Sequence, residues 1–303
     1  MRNEVKPNLI IIGAMRSSTT LLWCLLRQHP EVWFPSIKEP AYFSREDFND
    51  RRQRKTYLAL FKPCPNDKKI IGEASVDYTK LPHFGPVPRR IKQLLDKPKL
   101  IYIIRDPVER VISQYKFSYL RGYLPLNMTL EEAINKHPHI IYASRYAYQL
   151  NEYYKVFGPD SVFIVIAERM HAQLNTVMAE VEKYLDIAPL GGRGEYKMEE
   201  VNSLSKIKET AGWYRLFGQS KWIKRAVMSS PHFIIDFLKQ HIPPSPEAPE
   251  TTHADRDMIF DIIASDLREL IILLDDKIDL WPSVMKLKNS SNACRTFIEH
   301  KER

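Results

Sequence analysis

Two short stretches of this 303-residue chain hold the side chains best suited to chemistry. The first is the polar loop Gly13-Ala14-Met15-Arg16-Ser17-Ser18-Thr19-Thr20. The second is Arg105-Asp106-Pro107-Val108-Glu109-Arg110, followed by Ser113-Gln114-Tyr115. A guanidinium stays charged and presents several donors at once, so Arg16 and Arg105 suit phosphate-like anions. The hydroxyls of Ser17, Ser18, Thr19 and Thr20 can add donors toward the same anion. Proton transfer needs a base, and two glutamates are candidates: Glu39 in Lys38-Glu39-Pro40, and Glu73 in Gly72-Glu73-Ala74-Ser75. General-base help is typically worth about 10²–10⁴-fold in rate.

The surrounding pattern supplies elements to position these groups. Leu9 to Ile12 is a short apolar run rich in β-branched residues, which reads as a buried parallel strand. Leu21, Leu22, Leu25 and Leu26 share one face of a following helix, which should stop near His29-Pro30. A strand, a tight loop and a helix N-terminus together form a phosphate cradle. It is not an ATPase loop, because G-x-x-x-x-G-K-[ST] would need Gly and Lys where Ser18 and Thr19 stand. Lys69 to Ser75 reads as a second strand and Lys99 to Ile104 as a third. After it, Asp106 suits an N-cap, Pro107 the first helical position, and Glu109 a capping box. Ligands of open α/β sheets bind at the carboxyl ends of the strands, so the two junctions suit the two phosphate ends of one nucleotide.

Further along, prolines 82, 86 and 88 lead to a helix across Ile91 to Leu95. Lys116 to His139 is aromatic and irregular, with a short helix near Leu130 to Ile134, and suits the acceptor side through Phe117. Helices are expected over Tyr142 to Phe157 and from Glu168 to about Leu185, with a fourth strand at Ser161 to Ile166 between them. Strands alternating with helices imply an α/β, P-loop-like three-layer fold with a central parallel sheet flanked by helices. One domain is expected over residues 1–303, with a core at 8–190 and a C-terminal loop and helical part at 190–303. That part has a basic amphipathic stretch at Trp213 to Gln240, a linker at Pro243 to Pro249 and a last helix at about Asp255 to Asp275. Arg51 to Lys55 read as a solvated helix face.

A net charge of +8 favours acidic ligands but is the only feature pointing to nucleic acid, so no nucleic-acid partner is expected. Three cysteines without C-x-x-C spacing suggest neither a disulfide framework nor a zinc site, and no metal is expected. No apolar run approaches the ~18–20 residues of a membrane span. The first strand begins too early to leave room for a signal sequence, which makes a cytoplasmic enzyme the expectation. His29, His83 and His137 show no pattern of catalytic bases.

The first loop, followed by His29-Pro30, Lys38-Glu39-Pro40 and Tyr42-Phe43, resembles the PAPS-dependent sulfotransferase family. Its bacterial and heparan-sulfate-type members read roughly G-x-x-[KR]-x-G-T-T, then H-P, then K-E-P-x-x-F. The second stretch is similar to that family's R-[DN]-P-x-x-R-x-x-S-x-Y signature. The resemblance implies PAPS (3′-phosphoadenosine 5′-phosphosulfate) as co-substrate and PAP as product, with the loop around Arg16 on the phosphosulfate. It implies that Arg105 and Ser113 hold the 3′-phosphate and that Glu39 is the base. Arg16 then stabilises the leaving phosphate. Tyr146, in Ser144-Arg145-Tyr146, matches an element near the nucleotide. Arg193, with Asn202, falls in a basic loop over it. Lys38, Glu73 and Phe117 would face the acceptor, a small molecule or carbohydrate, with Glu73 the second choice of base. Ser18 stands where the family usually has Gly, which is costly if the backbone there needs positive φ. Two other readings stay open: a PAPS- or PAP-binding module without catalysis, and a nucleotide kinase, whose loop lysine is missing here.

Overall fold

A computed structural model describes residues 4–190, 196–197, 246–274, 278–279 and 281–289. Five parallel strands form one sheet in the order β2-β3-β1-β4-β5. They are β1 (Leu9–Gly13), β2 (Val32–Trp33), β3 (Ile70–Ala74), β4 (Lys99–Ile104) and β5 (Val162–Ile166). The two-residue edge strand β2 is too short to leave a pattern in the sequence. Every residue of β1 is buried, because helices cover both faces of a parallel sheet.

Side chains alternate across the strands and divide the core in two. Ile10, Ile12, Leu100, Tyr102 and Ile104 point to one side, among residues of α3 (Val87–Leu94), α4 (Pro107–Leu120), α7 (Tyr146–Phe157) and α10 (His253–Leu274). Leu9, Ile11, Ile101 and Ile103 point to the other, against α1 (Thr19–Leu26), α8 (Ala167–Ala172) and α9 (Leu174–Leu185). The result is the expected three-layer α/β architecture. Since β1 lies between β3 and β4, the loops that leave these three strands open on the same sheet edge.

Several boundaries differ from the sequence reading. Helix α4 runs on to Leu120, so Phe117 is helical and not part of an irregular loop. Its aromatic residues bury Tyr115 and Tyr119 in the core, and that burial carries the helix forward. The remaining helices are α2 (Arg51–Ala59), α5 (Leu130–Lys136) and α6 (His139–Tyr142). The expected helix from Tyr142 is broken between α6 and α7, and the one after Glu168 is broken at Gln173. Helix α7 has no side-chain cap of its own. Asp266 of α10 accepts the Ala147 and Tyr148 N–H groups instead, at 3.0 and 2.9 Å. This cap from a distant element ties the C-terminal helix to the sheet domain. Arg193, Asn202, Cys294 and the stretch from Trp213 to Gln240 lie outside the described residues.

Candidate active site

The loop after β1 is shaped by backbone that only special residues tolerate. A Cβ at Gly13 would lie 2.0 Å from Thr79 Oγ1, so glycine is required there. Arg16 and Ser18 have φ of 68° and 66°, the left-handed region. For an L-residue this conformation costs about 1–2 kcal/mol, and such strain gathers at functional sites. The position where the resemblance expects glycine is therefore one where glycine would relax the backbone. Ser18 caps α1 but makes no side-chain hydrogen bond to its first turn, whose N–H groups carry the positive end of the helix dipole. Its hydroxyl turns instead to His171 Nε2, at 2.9 Å.

The other hydroxyls of the loop divide by burial. Ser17 is fully buried, and its Oγ makes no hydrogen bond with a described residue. Tyr146 is also fully buried beneath the loop, with its phenol beside Ser17 but outside hydrogen-bond geometry, and burial pushes that phenol up to about 12. Both hydroxyls are thus enclosed at the loop and without a hydrogen-bond partner among the described residues. Thr19 is buried and Thr20 half-buried at the start of α1.

Both strand-to-helix junctions converge. Arg16 Nε donates to Ser113 Oγ of α4 at 3.1 Å, and an Arg105 terminal nitrogen donates to the Arg16 carbonyl at 3.4 Å. Arg110, fully buried, donates to Ser144, Gln114 and the Ile140 carbonyl, and reaches the Met15 carbonyl at 3.4 Å. The Phe117 ring lies between two guanidinium groups, 4.9 Å from Arg16 and 5.6 Å from Arg121. Burial and the charges of Arg105, Arg121 and Arg110 lower Arg16 to about 10, leaving it charged at neutral pH. Among the described residues, Arg16, Arg105 and Arg110 form no ion pair with a carboxylate, and Arg105 Nε is buried without a hydrogen-bond partner. Crowded cations without a counter-charge fit a ligand with two phosphate-like ends.

Asp106 builds the second junction as the sequence predicts. Its Oδ1 accepts the Val108 and Glu109 N–H groups at 2.9 and 3.1 Å, and Pro107 takes the first turn. Its Oδ2 accepts the Ser283 N–H at 3.0 Å. Glu109 does not close a capping box, because its carboxylate pairs with Arg256 of α10. Glu168 accepts from the Asp106 N–H and from Trp281 Nε1, both at 3.0 Å, so the C-terminal part braces this junction.

The two glutamates have opposite settings. Glu73 is 1% exposed and accepts from the hydroxyls of Tyr57, Tyr78 (2.5 Å) and Ser75 (2.9 Å). Burial raises its pKa against those three bonds. A carboxylate so enclosed cannot touch an acceptor, which corrects both roles expected for Glu73. Its partners instead hold the segment carrying Glu39: Ala41 N–H donates to Ser75 Oγ at 3.0 Å, and Phe43 N–H to the Tyr78 hydroxyl at 3.4 Å. The Glu39 N–H donates to the Ala74 carbonyl at 2.9 Å, and Ala74 sits beside Ile11 in the sheet. Glu39 is thus pinned to the same sheet edge as the Arg16 loop. It is exposed, has φ of 62° and not the extended backbone that Pro40 suggests, and pairs with Lys38 Nζ at 2.5 Å.

Two members of the arginine group, Arg110 and Arg121, had no ligand-site role in the sequence reading. A signal for Arg121 existed, since Ser113, Phe117 and Arg121 fall at i, i+4 and i+8 on one helical stripe. His29 is structural: its Nδ1 accepts the Glu31 N–H at 3.1 Å and its Nε2 lies 2.8 Å from the Ala188 carbonyl.

Comparison with known proteins adds an independent line. A family model described as a sulfotransferase domain matches residues 6–211. The membrane-associated sulfotransferase kil1 of Dictyostelium discoideum is 36% identical over 139 residues, 45% of this chain and 29% of that protein. The bifunctional heparan sulfate N-deacetylase/N-sulfotransferase 3 of Mus musculus is 26% identical over 264 residues, 78% of this chain and 29% of that protein. The chain thus spans under a third of these relatives' length. A solved sulfotransferase from Alicyclobacillus acidocaldarius shares the fold, with a TM-score of 0.62 and 20% identity over 91% of this chain and 99% of that one.

Proposed function

This chain belongs to the sulfotransferase family, and from that premise we propose that it transfers the sulfuryl group of PAPS to a hydroxyl or amine of an acceptor. The observation that carries the reading is the convergence of Arg16, Ser113 and Arg105 at two adjacent strand ends, without a carboxylate partner for either arginine among the described residues. PAPS, as substrate, supplies an activated sulfuryl group on a phosphate leaving group. The Arg16 loop and the first turn of α1 bind the phosphosulfate end, and Arg105 with Ser113 binds the 3′-phosphate.

In the transfer, the acceptor oxygen or nitrogen forms a bond to sulfur while the bond from sulfur to the phosphate oxygen breaks. Glu39 takes the proton that the acceptor loses. Arg16 meets the negative charge that grows on the departing oxygen, as preorganised donors do where charge develops. Lys38 neutralises Glu39 in the resting protein and releases it when the acceptor enters. Positioning supplies much of the remaining acceleration, as in phosphoryl transfer. Among the described residues, no group of three or more His, Cys, Asp or Glu is placed to hold a metal ion, and no helix is long and apolar enough to cross a membrane.

The Lys38–Glu39 ion pair favours a second reading, in which the chain binds PAPS or PAP without turning it over. Radiolabelled PAPS offered with phenol, simple alcohol and glycan acceptors separates the two. The proposed transfer requires labelled product from wild type and a loss of about 10²-fold or more in Glu39→Gln, with PAP affinity unchanged. PAP binding without labelled product on any acceptor class would favour the binding module.

A further inference from the structure

One buried tryptophan of the C-terminal part touches the supports of both arginine junctions. Trp281 Nε1 donates to Glu168 Oε2 at 3.0 Å, and Oε1 of the same carboxylate accepts the Asp106 N–H at 3.0 Å. That N–H belongs to the peptide joining Arg105 to Asp106, so the carboxylate fixes the backbone from which the Arg105 side chain leaves. The Trp281 ring also packs on Tyr146, with centroids 6.3 Å apart. The Tyr146 phenol lies beside Ser17 of the first loop and beside the Arg105 backbone. A single indole thus reaches Arg105 through a hydrogen-bonded carboxylate and the Arg16 loop through a packed phenol.

Neighbouring contacts grip the same place. The Ser283 N–H donates to Asp106 Oδ2 at 3.0 Å, while Oδ1 caps α4, and Arg256 of α10 pairs with Glu109 in the first turn of α4. Arg105 needs such outside support. Its positive charge presses on Arg16, whose pKa it helps to lower. Among the described residues it has no carboxylate partner, and its Nε is buried without a hydrogen bond. Its terminal nitrogen reaches only as far as the Arg16 carbonyl, at 3.4 Å. Two cations that repel each other are therefore kept together by the backbone beneath them, and Trp281 braces that backbone.

We propose that Trp281 is a positioning residue of the nucleotide site: through Glu168 and Tyr146 it holds Arg105 and the Arg16 loop in place for one nucleotide, and docking of residues 281–289 is coupled to nucleotide binding. The proposal rests on the reading that PAPS and PAP are what the arginines bind. Trp281 touches neither phosphate. It acts by assembling the cations before the ligand arrives, which reduces what binding must spend on ordering them. Glu168 is exposed, so without the indole N–H its carboxylate is free to turn to solvent and release the Arg105–Asp106 peptide. The coupling is reciprocal: if the docked segment raises affinity for PAP, bound PAP holds the segment down by the same factor.

The test pairs calorimetric titration with PAP and hydrogen exchange read by mass spectrometry, both on the full chain. Trp281→Phe keeps a ring against Tyr146 and removes the Nε1 donor. It is expected to weaken PAP binding about three- to tenfold, the worth of one ordinary hydrogen bond. Val284→Ala trims the buried core of the same segment and none of its hydrogen bonds, so it should lower Tm while keeping wild-type PAP affinity. In wild type, PAP should slow exchange across residues 281–289. Unchanged PAP affinity in Trp281→Phe, an equal loss in Val284→Ala, or exchange that PAP leaves unslowed overturns the positioning role. If Trp281→Phe does not fold, the exchange result on wild type decides alone. Failure of PAP to bind folded wild type sinks the nucleotide reading and this proposal with it, whereas PAP binding that Trp281→Phe leaves untouched sinks the proposal alone.

Discussion

Ser18 offers a quantitative test of the loop. Its left-handed backbone costs an L-residue about 1–2 kcal/mol, a penalty that glycine escapes. The exposed bond from its hydroxyl to His171 returns about 0.5–1 kcal/mol. Ser18→Ala keeps the strain and loses the bond, so it should destabilise by about 0.5–1 kcal/mol. Ser18→Gly also loses the bond but sheds the strain, so its stability should lie between that of wild type and about 1.5 kcal/mol above it. The two variants then differ by at least about 1 kcal/mol, roughly 2 °C in Tm for a chain of this size. Thermal unfolding by circular dichroism, all three proteins in one buffer, reads that gap directly. An alanine variant that melts with or above the glycine variant would refute the strained-loop reasoning.

Other consequences are equally concrete. Glu73→Leu leaves the Tyr57 and Tyr78 hydroxyls buried without their acceptor and should cost about 2–6 kcal/mol in urea denaturation, from two groups at about 1–3 kcal/mol each. Arg16→Lys keeps a charge but loses the fork that reaches Ser113, and kcat for sulfuryl transfer should fall about 10²-fold. Burial raises the Asp266 carboxyl from 3.8 to about 6, against the backbone bonds it accepts. Its folded pKa exceeds its unfolded one, so the associated stability is present below about pH 4 and is lost as pH rises through about 6. Asp266→Asn removes that titration, and its Tm relative to wild type should climb between pH 4 and pH 7.

The sheet and the two arginine junctions were legible because their causes are local. A β-branched run, a break into polar residues and an Asp-Pro helix start specify β1, its loop and the start of α4 without help from elsewhere. Their meeting follows from β1 and β4 being neighbours, which chain order alone does not state. What stayed hidden depends on distant partners. Glu73 looks like an acid–base candidate until Tyr57, from α2, covers it. Phe117 looks like a loop aromatic until Tyr115 and Tyr119 are seen buried on the same helix. Glu39 adopts positive φ despite Pro40 in a segment that β3 and the turn after it hold through hydrogen bonds.

Calorimetric titration with PAP, on wild type and on Arg105→Ala, bears most directly on the claim that two adjacent junctions hold one nucleotide. Saturable binding to wild type is expected, weakened at least tenfold in the variant, a loss of about 1.4 kcal/mol. A folded wild type that does not bind PAP, or an Arg105→Ala variant that binds it equally well, would contradict the two-junction site.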